Sequence, residues 1–457
     1  MMRELTLRDV ARITGGRLVG DPDAKITAVI TDSRAVSAGA LFVALRGDRF
    51  DGAIYAADAV AAGCAAAVVE RAVVLGDVPH VLVSSTLRAL GDLAAAHRIG
   101  YKLPVVGITG SAGKTGTREM CRAVLEALGP ALTNRSNHNN LIGVPQTLLR
   151  LGAEHRTAVI EMGSNQPGEI GRLTEIARPR IGVVTLVAAA HTEKLGDIEG
   201  VAHEKGALLR GLPKDGVAVV PSFDDRVLAE AAAAPARVVR FGYDAADDLR
   251  ISAETGGLTP SATVCWRDGA PIRLALDVPG RHQLRNAAAG LTVGCLLGVT
   301  LEEGCRRLNG ISAVPGRTRV VAAGGLRIID DTYNANPASV AEALRLLAEV
   351  REGRRYAALG VMAELGGAHE GEHRAAGRLA AAADLSGLGV VGANASAIAD
   401  GAIEAGMAPD RVRRFEDHDA CTDWLRSVAA PGDTILLKGS RIARMETILD
   451  RMAGTQE

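Results

Sequence analysis

Aromatic residues are scarce: Phe, Trp and Tyr make up 3% of the 457 residues, against a hydrophobic share of 47%. Cores must therefore be filled by Ala, Val, Leu and Ile, which suits Ala-rich helices alternating with short Val/Ile strands. Charge of one sign is lacking too. The 52 Lys and Arg nearly balance 53 Asp and Glu, for a net charge of −1, and neither sign gathers into a block. Nucleic acid and membrane surfaces are thus not expected as partners. No run approaches the roughly 20 apolar residues that span a bilayer. The opening Met1-Met2-Arg3-Glu4-Leu5 has no signal-peptide stretch, so a cytoplasmic location is expected. The six cysteines (Cys64, Cys121, Cys265, Cys295, Cys305, Cys421) form no CxxC pair and have no His at metal-ligand spacing. Buried reduced thiols are expected of them.

What is present is length and alternation. At about 150 residues per domain the chain predicts roughly three α/β domains. The first, over 1–84, reads as a small mixed α/β domain, with strands at 26–30, 41–45, 65–69 and 80–83 and a helix at 55–62. The second, over 85–313, opens with a helix at 87–99 and a strand at 104–109. A glycine loop and a helix over 114–128 follow, then strands at 157–161, 181–187 and 217–220. That is the pattern of a parallel sheet wrapped by helices. The third, over 314–457, repeats it as a Rossmann-like sheet, with strands at 326–329, 356–359, 389–391 and 434–437. Helices are expected at 338–350, 375–383, 395–405 and 420–428, and a hinge at Ala313-Val314-Pro315-Gly316.

The firmest chemical signal is Gly110-Ser111-Ala112-Gly113-Lys114-Thr115 between a strand and a helix. Unpaired backbone N–H groups and a helix N-terminus converge there, which favours a phosphate. Lys114 would reach the β- and γ-phosphates, and the Thr115 hydroxyl would meet Mg²⁺. Ile108 stands where the common GxxxxGK[ST] loop has its first glycine, which turns the reading away from GTPases and motor ATPases. Glu161 ends a predicted strand, where α/β folds place functional groups.

Taken in order, the motifs resemble the Mur ligases, which join an amino acid or dipeptide to a UDP-muramoyl precursor. The likeness runs from about Thr31 to Glu446. Thr31-Asp32-Ser33-Arg34 and Phe50-Asp51-Gly52 look like the family's UDP-binding domain, with Ser33 and Arg34 toward the pyrophosphate. Asn137-His138-Asn139-Asn140 with Gly143 and Pro145 is similar to its NxNNxxGxP stretch, whose carboxamides would orient an acyl phosphate or a peptide carboxylate. The resemblance implies Glu161 and His191 as metal ligands beside Thr115, and Lys205 as a carbamylated lysine that also binds metal. Gly280 to Ala287 resembles GxHNxxNAxAA, which gives Asn286 to the adenine or ribose. Gly116 closes the nucleotide loop, while Arg317 and Asp331 would reach ATP from the third domain. Asp330-Asp331-Thr332-Tyr333-Asn334-Ala335-Asn336-Pro337 resembles the DDxYNANP stretch of the branch that adds D-alanyl-D-alanine to UDP-N-acetylmuramoyl-tripeptide. Tyr333, Asn334 and Asn336 join the substrate set there. Met362-Ala363-Glu364-Leu365-Gly366 and Leu437-Lys438-Gly439-Ser440-Arg441 resemble its MxELG and KGSR elements, and Lys438 and Arg441 are assigned to the incoming carboxylate.

The resemblance thus implies a monomeric, ATP-dependent ligase with a pair of Mg²⁺ ions and an acyl-phosphate intermediate. Leu186, Ala207, Val361 and Gly116 depart from the family pattern, which has Asn, Glu, Asp and Thr there. Two alternatives accompany the reading. One is another Mur-type or folylpolyglutamate-type ligase, disfavoured by the YNANP and KGSR stretches. The other is a nucleotide-binding regulatory homologue without turnover.

Overall fold

The structure, a computed structural model, describes residues 4–47, 50–71, 75, 78–189 and 192–454. Its central sheet has nine strands in the order Ala131–Thr133, Thr157–Glu161, Val105–Thr109, Ile181–Val184, Val217–Pro221, Arg237–Gly242, Leu249–Thr255, Ser261–Trp266 and Ile272–Ala275. Val105–Thr109, Thr157–Glu161 and Ile181–Val184 are buried throughout, as parallel strands covered on both faces must be. The chain leaves Val105–Thr109, runs out to the edge strand Ala131–Thr133, and returns beside its start at Thr157–Glu161. It then crosses to Ile181–Val184 on the other flank. That reversal puts a crevice outside the carboxyl end of Val105–Thr109, where the glycine loop begins.

The four strands from Arg237 to Ala275 were not expected. The last two pair antiparallel, and exposed or half-buried residues interrupt all four. Arg237, Arg240, Arg250, Glu254 and Arg273 break their apolar runs, so the sequence shows no continuous hydrophobic stretch to mark them.

The amino-terminal residues form a five-stranded sheet, ordered Arg17–Val19, His80–Leu82, Ala66–Val69, Ala40–Val43 and Ala28–Ile30. The strand expected at 26–30 is divided: Lys25–Ile26 pairs with Leu5–Thr6, and the Thr27 N–H donates to Gly39 O at 2.9 Å. The helix Thr86–Ile99 packs against Leu7–Thr14 on one side and Glu169–Ala177 on the other, joining this sheet to the central one. Residues from Arg319 on build a six-stranded sheet, ordered Arg319–Ala323, Leu326–Asp331, Thr434–Lys438, Arg355–Leu359, Gly387–Val391 and Val412–Phe415. All but its first pair run parallel. All six cysteines are free thiols; Cys64, Cys121, Cys305 and Cys421 are buried as expected, while Cys265 and Cys295 are only half-buried. Among the described residues no helix is long and apolar enough to cross a membrane.

One helix pair sets the site's geometry. Lys114–Leu125, which follows the glycine loop, packs on His282–Leu296. The contact is close because the second helix presents glycines. A Cβ at Gly290 would stand 3.0 Å from Met120 Cβ, and one at Gly294 would collide with Val124 Cγ1. A Gly294→Val substitution is expected to cost about 1–3 kcal/mol through overpacking. Urea unfolding measures this, and an unchanged midpoint would contradict the close approach.

Candidate active site

The glycine loop is shaped by contacts that only glycine tolerates. Gly110 (φ 144°) and Gly113 (φ 81°) both take positive φ, costly for a residue with a Cβ. A Cβ at Gly110 would strike Thr185 Oγ1, and one at Gly113 would lie 2.7 Å from Asn286 Oδ1. Thr185 fastens the loop to the end of the neighbouring strand, donating to Ala112 O at 2.5 Å. Ser111 Oγ donates to Ala188 O and accepts from Ala188 N, each at 2.9 Å. Lys114 folds back so that Nζ donates to Gly110 O at 2.7 Å. Its enclosure pushes the ammonium down to about 8; Glu161 opposes the shift and Arg317 adds to it. All three groups therefore share one electrostatic neighbourhood.

Glu161 is 1% exposed and holds donors from separate segments. Oε2 accepts from Thr115 Oγ1 at 3.0 Å and from Arg118 Nη1 at 3.1 Å, and Oε1 accepts from Asn139 Nδ2 at 2.7 Å. Asn134 pins its backbone, accepting from Glu161 N at 2.7 Å and donating to its carbonyl at 3.2 Å. Arg118 and Asn134 escaped the sequence reading. Arg118 lies three residues after Thr115, on the same helical face, and that spacing was the available signal. Asn140 uses its side chain on the backbone, accepting from Gly143 N at 2.9 Å, and Asn137 is exposed on the cavity wall.

Lys205, 1% exposed, donates to Ser164 Oγ at 2.6 Å. Burial pushes its ammonium down to about 7, and repulsion from Lys114 adds to that. Beside it Glu204 accepts the backbone N–H groups of Gly168 and Ile170 at 2.7 and 2.8 Å, capping the helix Glu169–Ala177. His191 lies outside the described residues. Among those described, no group of three or more His, Cys, Asp or Glu converges as a metal cluster.

From the third sheet, strand ends face the loop. Asp331 Oδ2 accepts from Lys438 Nζ at 2.5 Å, and Lys438 also donates to Asn334 O at 3.1 Å. The lysine is 1% exposed, so its charge is spent on Asp331. The Arg317 guanidinium stacks on the Tyr333 ring at 4.3 Å. Gly316 (φ 73°) permits that turn, because a Cβ there would come within 2.9 Å of Tyr333 Cβ. Asn336 caps the helix Pro337–Glu349 and reaches across, Nδ2 donating to Ser111 O at 3.3 Å. Further links are Thr192 Oγ1 to Leu365 O at 3.3 Å and the ion pairs Arg281–Glu349 and Arg285–Glu342 at 2.6 and 3.3 Å.

These elements enclose a cavity of about 770 Å³. Ser111 to Lys114, Gly116, Asn137, Asn139, Asn140, Glu161, Asn286, Arg317, Asp331, Tyr333, Asn334, Asn336, Lys438 and Arg441 line it. Ser33 and Arg34 do not. Arg34 instead grips Asp32 through two side-chain bonds of 2.9 and 2.8 Å, which hold that carboxyl down to about 2. Asn286 lies against the loop helix, accepting from Thr117 Oγ1 at 3.2 Å. A sheet-end phosphate loop facing a second sheet across a shared cavity is the arrangement of an enzyme that handles a nucleotide beside another substrate.

Comparison with known proteins gives the class. The Mur ligase family catalytic domain matches 25–98, the Mur ligase middle domain 108–294, and the Mur ligase glutamate ligase domain 316–441. The chain belongs to the Mur ligase family. More particularly, it is 37% identical to UDP-N-acetylmuramoyl-tripeptide–D-alanyl-D-alanine ligase of Escherichia coli (strain K12), over 98% of each chain. Among solved structures, MurF of Acinetobacter baumannii matches with a TM-score of 0.91 at 30% identity over 99% of both chains. The MurF ligase of Thermotoga maritima in complex with ADP matches at 0.85 and 28% identity, over 94% of this chain and 97% of that one.

The buried Lys438–Asp331 pair yields a test. Lys438→Met leaves Asp331 buried without its cation and is expected to cost about 3–5 kcal/mol. Adding Asp331→Asn should return much of that loss. Urea unfolding of the two single variants and the double variant checks it; additive losses would show that the pair is not coupled.

Proposed function

We propose that this chain is an ATP-dependent ligase that adds D-alanyl-D-alanine to UDP-N-acetylmuramoyl-tripeptide, forming ADP and phosphate, in peptidoglycan precursor synthesis in the cytoplasm. The observation that carries the reading is the phosphate loop facing the Tyr333–Asn336 loop across one cavity, with Asn336 touching Ser111. The tripeptide's terminal carboxylate attacks the γ-phosphorus, the bond to the β-bridging oxygen breaks, and an acyl phosphate and ADP result. The dipeptide's amine then attacks the acyl carbon. The tetrahedral intermediate collapses, phosphate leaves, and the amine's proton is lost. Positioning and electrostatics supply the rate enhancement.

In this reading residues 1–84 bind the UDP end through Ser33 and Arg34, 85–313 bind ATP, and 314–457 bind the dipeptide and close over ATP. Gly110 to Gly116 cradle the phosphates, and Lys114 and Arg317 neutralise their charge. Asn286 and Asp331 hold the nucleotide's remainder, and Asn137, Asn139 and Asn140 orient the acyl group. Tyr333, Asn334, Asn336, Lys438 and Arg441 form the dipeptide end. Arg441 is the exposed cation of that set: its side chain is 68% exposed, and it pairs with Glu446 at 2.9 Å. The partners are small molecules, neither nucleic acid nor membrane, and the enzyme acts as a monomer.

The Thr115 hydroxyl and Glu161 carboxylate, 3.0 Å apart beside Lys114, are hard oxygen donors of the kind Mg²⁺ prefers. A carbamate on Lys205 would add further oxygens, and His191 would complete the set. When bound, Mg²⁺ would screen the phosphate charge and polarise the transferring group. Lys205 suits carbamylation because its amine is largely neutral above about pH 7, and only the neutral amine attacks CO₂.

Two outcomes test this. Phosphate release should require the UDP-tripeptide and D-alanyl-D-alanine together. Release with L-alanine, D-glutamate or a diamino acid in place of the dipeptide would sink the assignment. Binding of ATP with no ADP formed from the full set would favour a regulatory homologue. Second, intact-mass measurement in bicarbonate should show Lys205 carbamate occupancy rising as pH climbs through about 7 and vanishing in Lys205→Arg; no CO₂ adduct at any pH would remove the carbamate.

A further inference from the structure

We infer that Gln283 is a positioning residue that couples the phosphate loop to Arg317, and that Gly116 supplies the space this coupling needs. Gln283 sits in the first turn of the helix His282–Leu296, 7% exposed. Its carboxamide direction is set by its neighbours. Nε2 donates to Thr318 Oγ1 at 3.3 Å, and Oε1 accepts from Asn286 Nδ2 at 2.9 Å. On the loop side, Asn286 Oδ1 accepts from Thr117 Oγ1 at 3.2 Å. The Thr117 N–H in turn donates to Gly113 O at 2.8 Å. On the hinge side, the Thr318 N–H donates to Asp331 Oδ1 at 3.1 Å, and Asp331 holds Lys438. A single polar chain therefore runs from the loop helix to the third sheet, and Gln283 is its crossing.

Two features give the chain functional weight. Thr318 has φ 52°, a left-handed conformation that a β-branched residue rarely adopts, and it follows Arg317 directly. The direction of the Arg317 side chain onto Tyr333 thus depends on a conformation that Gln283 helps to hold. The second feature is steric. A Cβ at Gly116 would stand 2.6 Å from Asn286 Nδ2 and 3.1 Å from Gln283 Oε1. The bare glycine lets both carboxamides lie on the loop helix, which accounts for Gly116 where the family pattern carries a threonine.

Gln283 acts through Thr318 and Asn286, so its removal should spare nucleotide affinity and impair the response of the hinge. The inference rests on the proposed reaction only for turnover; its main readout needs nucleotide binding alone. Hydrogen exchange over 314–323 is followed in the full chain with and without a non-hydrolysable ATP analogue and Mg²⁺, for the parent, Gln283→Met and Gly116→Ala. In the parent the analogue should slow exchange there. Gln283→Met should lose that slowing while analogue affinity stays within about threefold and kcat falls about tenfold or more. Gly116→Ala, read at saturating analogue because Gly116 belongs to the phosphate loop, should lose the slowing too. The inference is overturned if exchange in Gln283→Met slows as in the parent. It is equally overturned if affinity and unfolding midpoint fall together with kcat, since that is what mere structural support would give. Should the parent form no ADP from the full substrate set, the proposed reaction fails, and the exchange comparison still decides the role of Gln283.

Discussion

The site depends on the carboxylate of Glu161. Buried at the end of a central strand, it is held by Thr115 from the loop helix, Asn139 from the Asn-rich turn and Arg118 one helical turn on. An isolated buried carboxylate is expensive, and this one is tolerable because every donor is aimed at it. The same bonds fix the start of the loop helix, and hence where the N–H groups behind Gly113 point. Exchanging any donor would leave the charge partly unpaired and loosen the loop, so binding geometry and local stability rest on one group.

The rest of the architecture brings a second sheet to that carboxylate. The central sheet reverses its winding at Val105–Thr109, and the six-stranded sheet presents the carboxyl ends of Leu326–Asp331 and Thr434–Lys438. Among the described residues the two sets of elements meet through direct bonds that include Asn336 to Ser111, Thr192 to Leu365, Glu193 N to Glu364 O, Gly257 N to Glu349, and Gln283 to Thr318. The Arg281–Glu349 and Arg285–Glu342 pairs stand at the margin of that interface, where partial exposure keeps their contribution small.

Local chemistry was legible in the sequence, and long-range partnership was not. The strand Thr157–Glu161 and the loop from Gly110 could be read because buried parallel strands and phosphate loops write their requirements into consecutive residues. The strands from Arg237 to Ala275 were missed because their open faces carry arginines. Lys438 and Asp331 were both read as facing ligands. Their mutual salt bridge joins residues 107 apart in sequence, and no spacing rule reaches that far. Ser33 and Arg34 lie outside the cavity lining, so their part in binding a long precursor rests on the likeness, with no short-range geometry to place them.

Burial governs the charge of the loop lysine. It lowers Lys114 to about 8 and Lys205 to about 7, with Arg317 adding to the first shift and Lys114 to the second. Glu161 acts on Lys114 more strongly than Arg317 does but does not offset the burial. A polyphosphate entering beside Lys114 supplies the missing anion, which favours the ammonium and raises its pKa. The liganded state therefore holds more protons than the free one at pH values between the two pKa values. By linkage, the Lys114 contribution to affinity is fully present below about 8 and declines as pH rises above it. A carbamate on Lys205 would put an anion where an ammonium now meets Lys114, and would favour the charged form of Lys114. The lysine that a cell-wall ligase would modify and the lysine that would grip its nucleotide are thus coupled through the field they share.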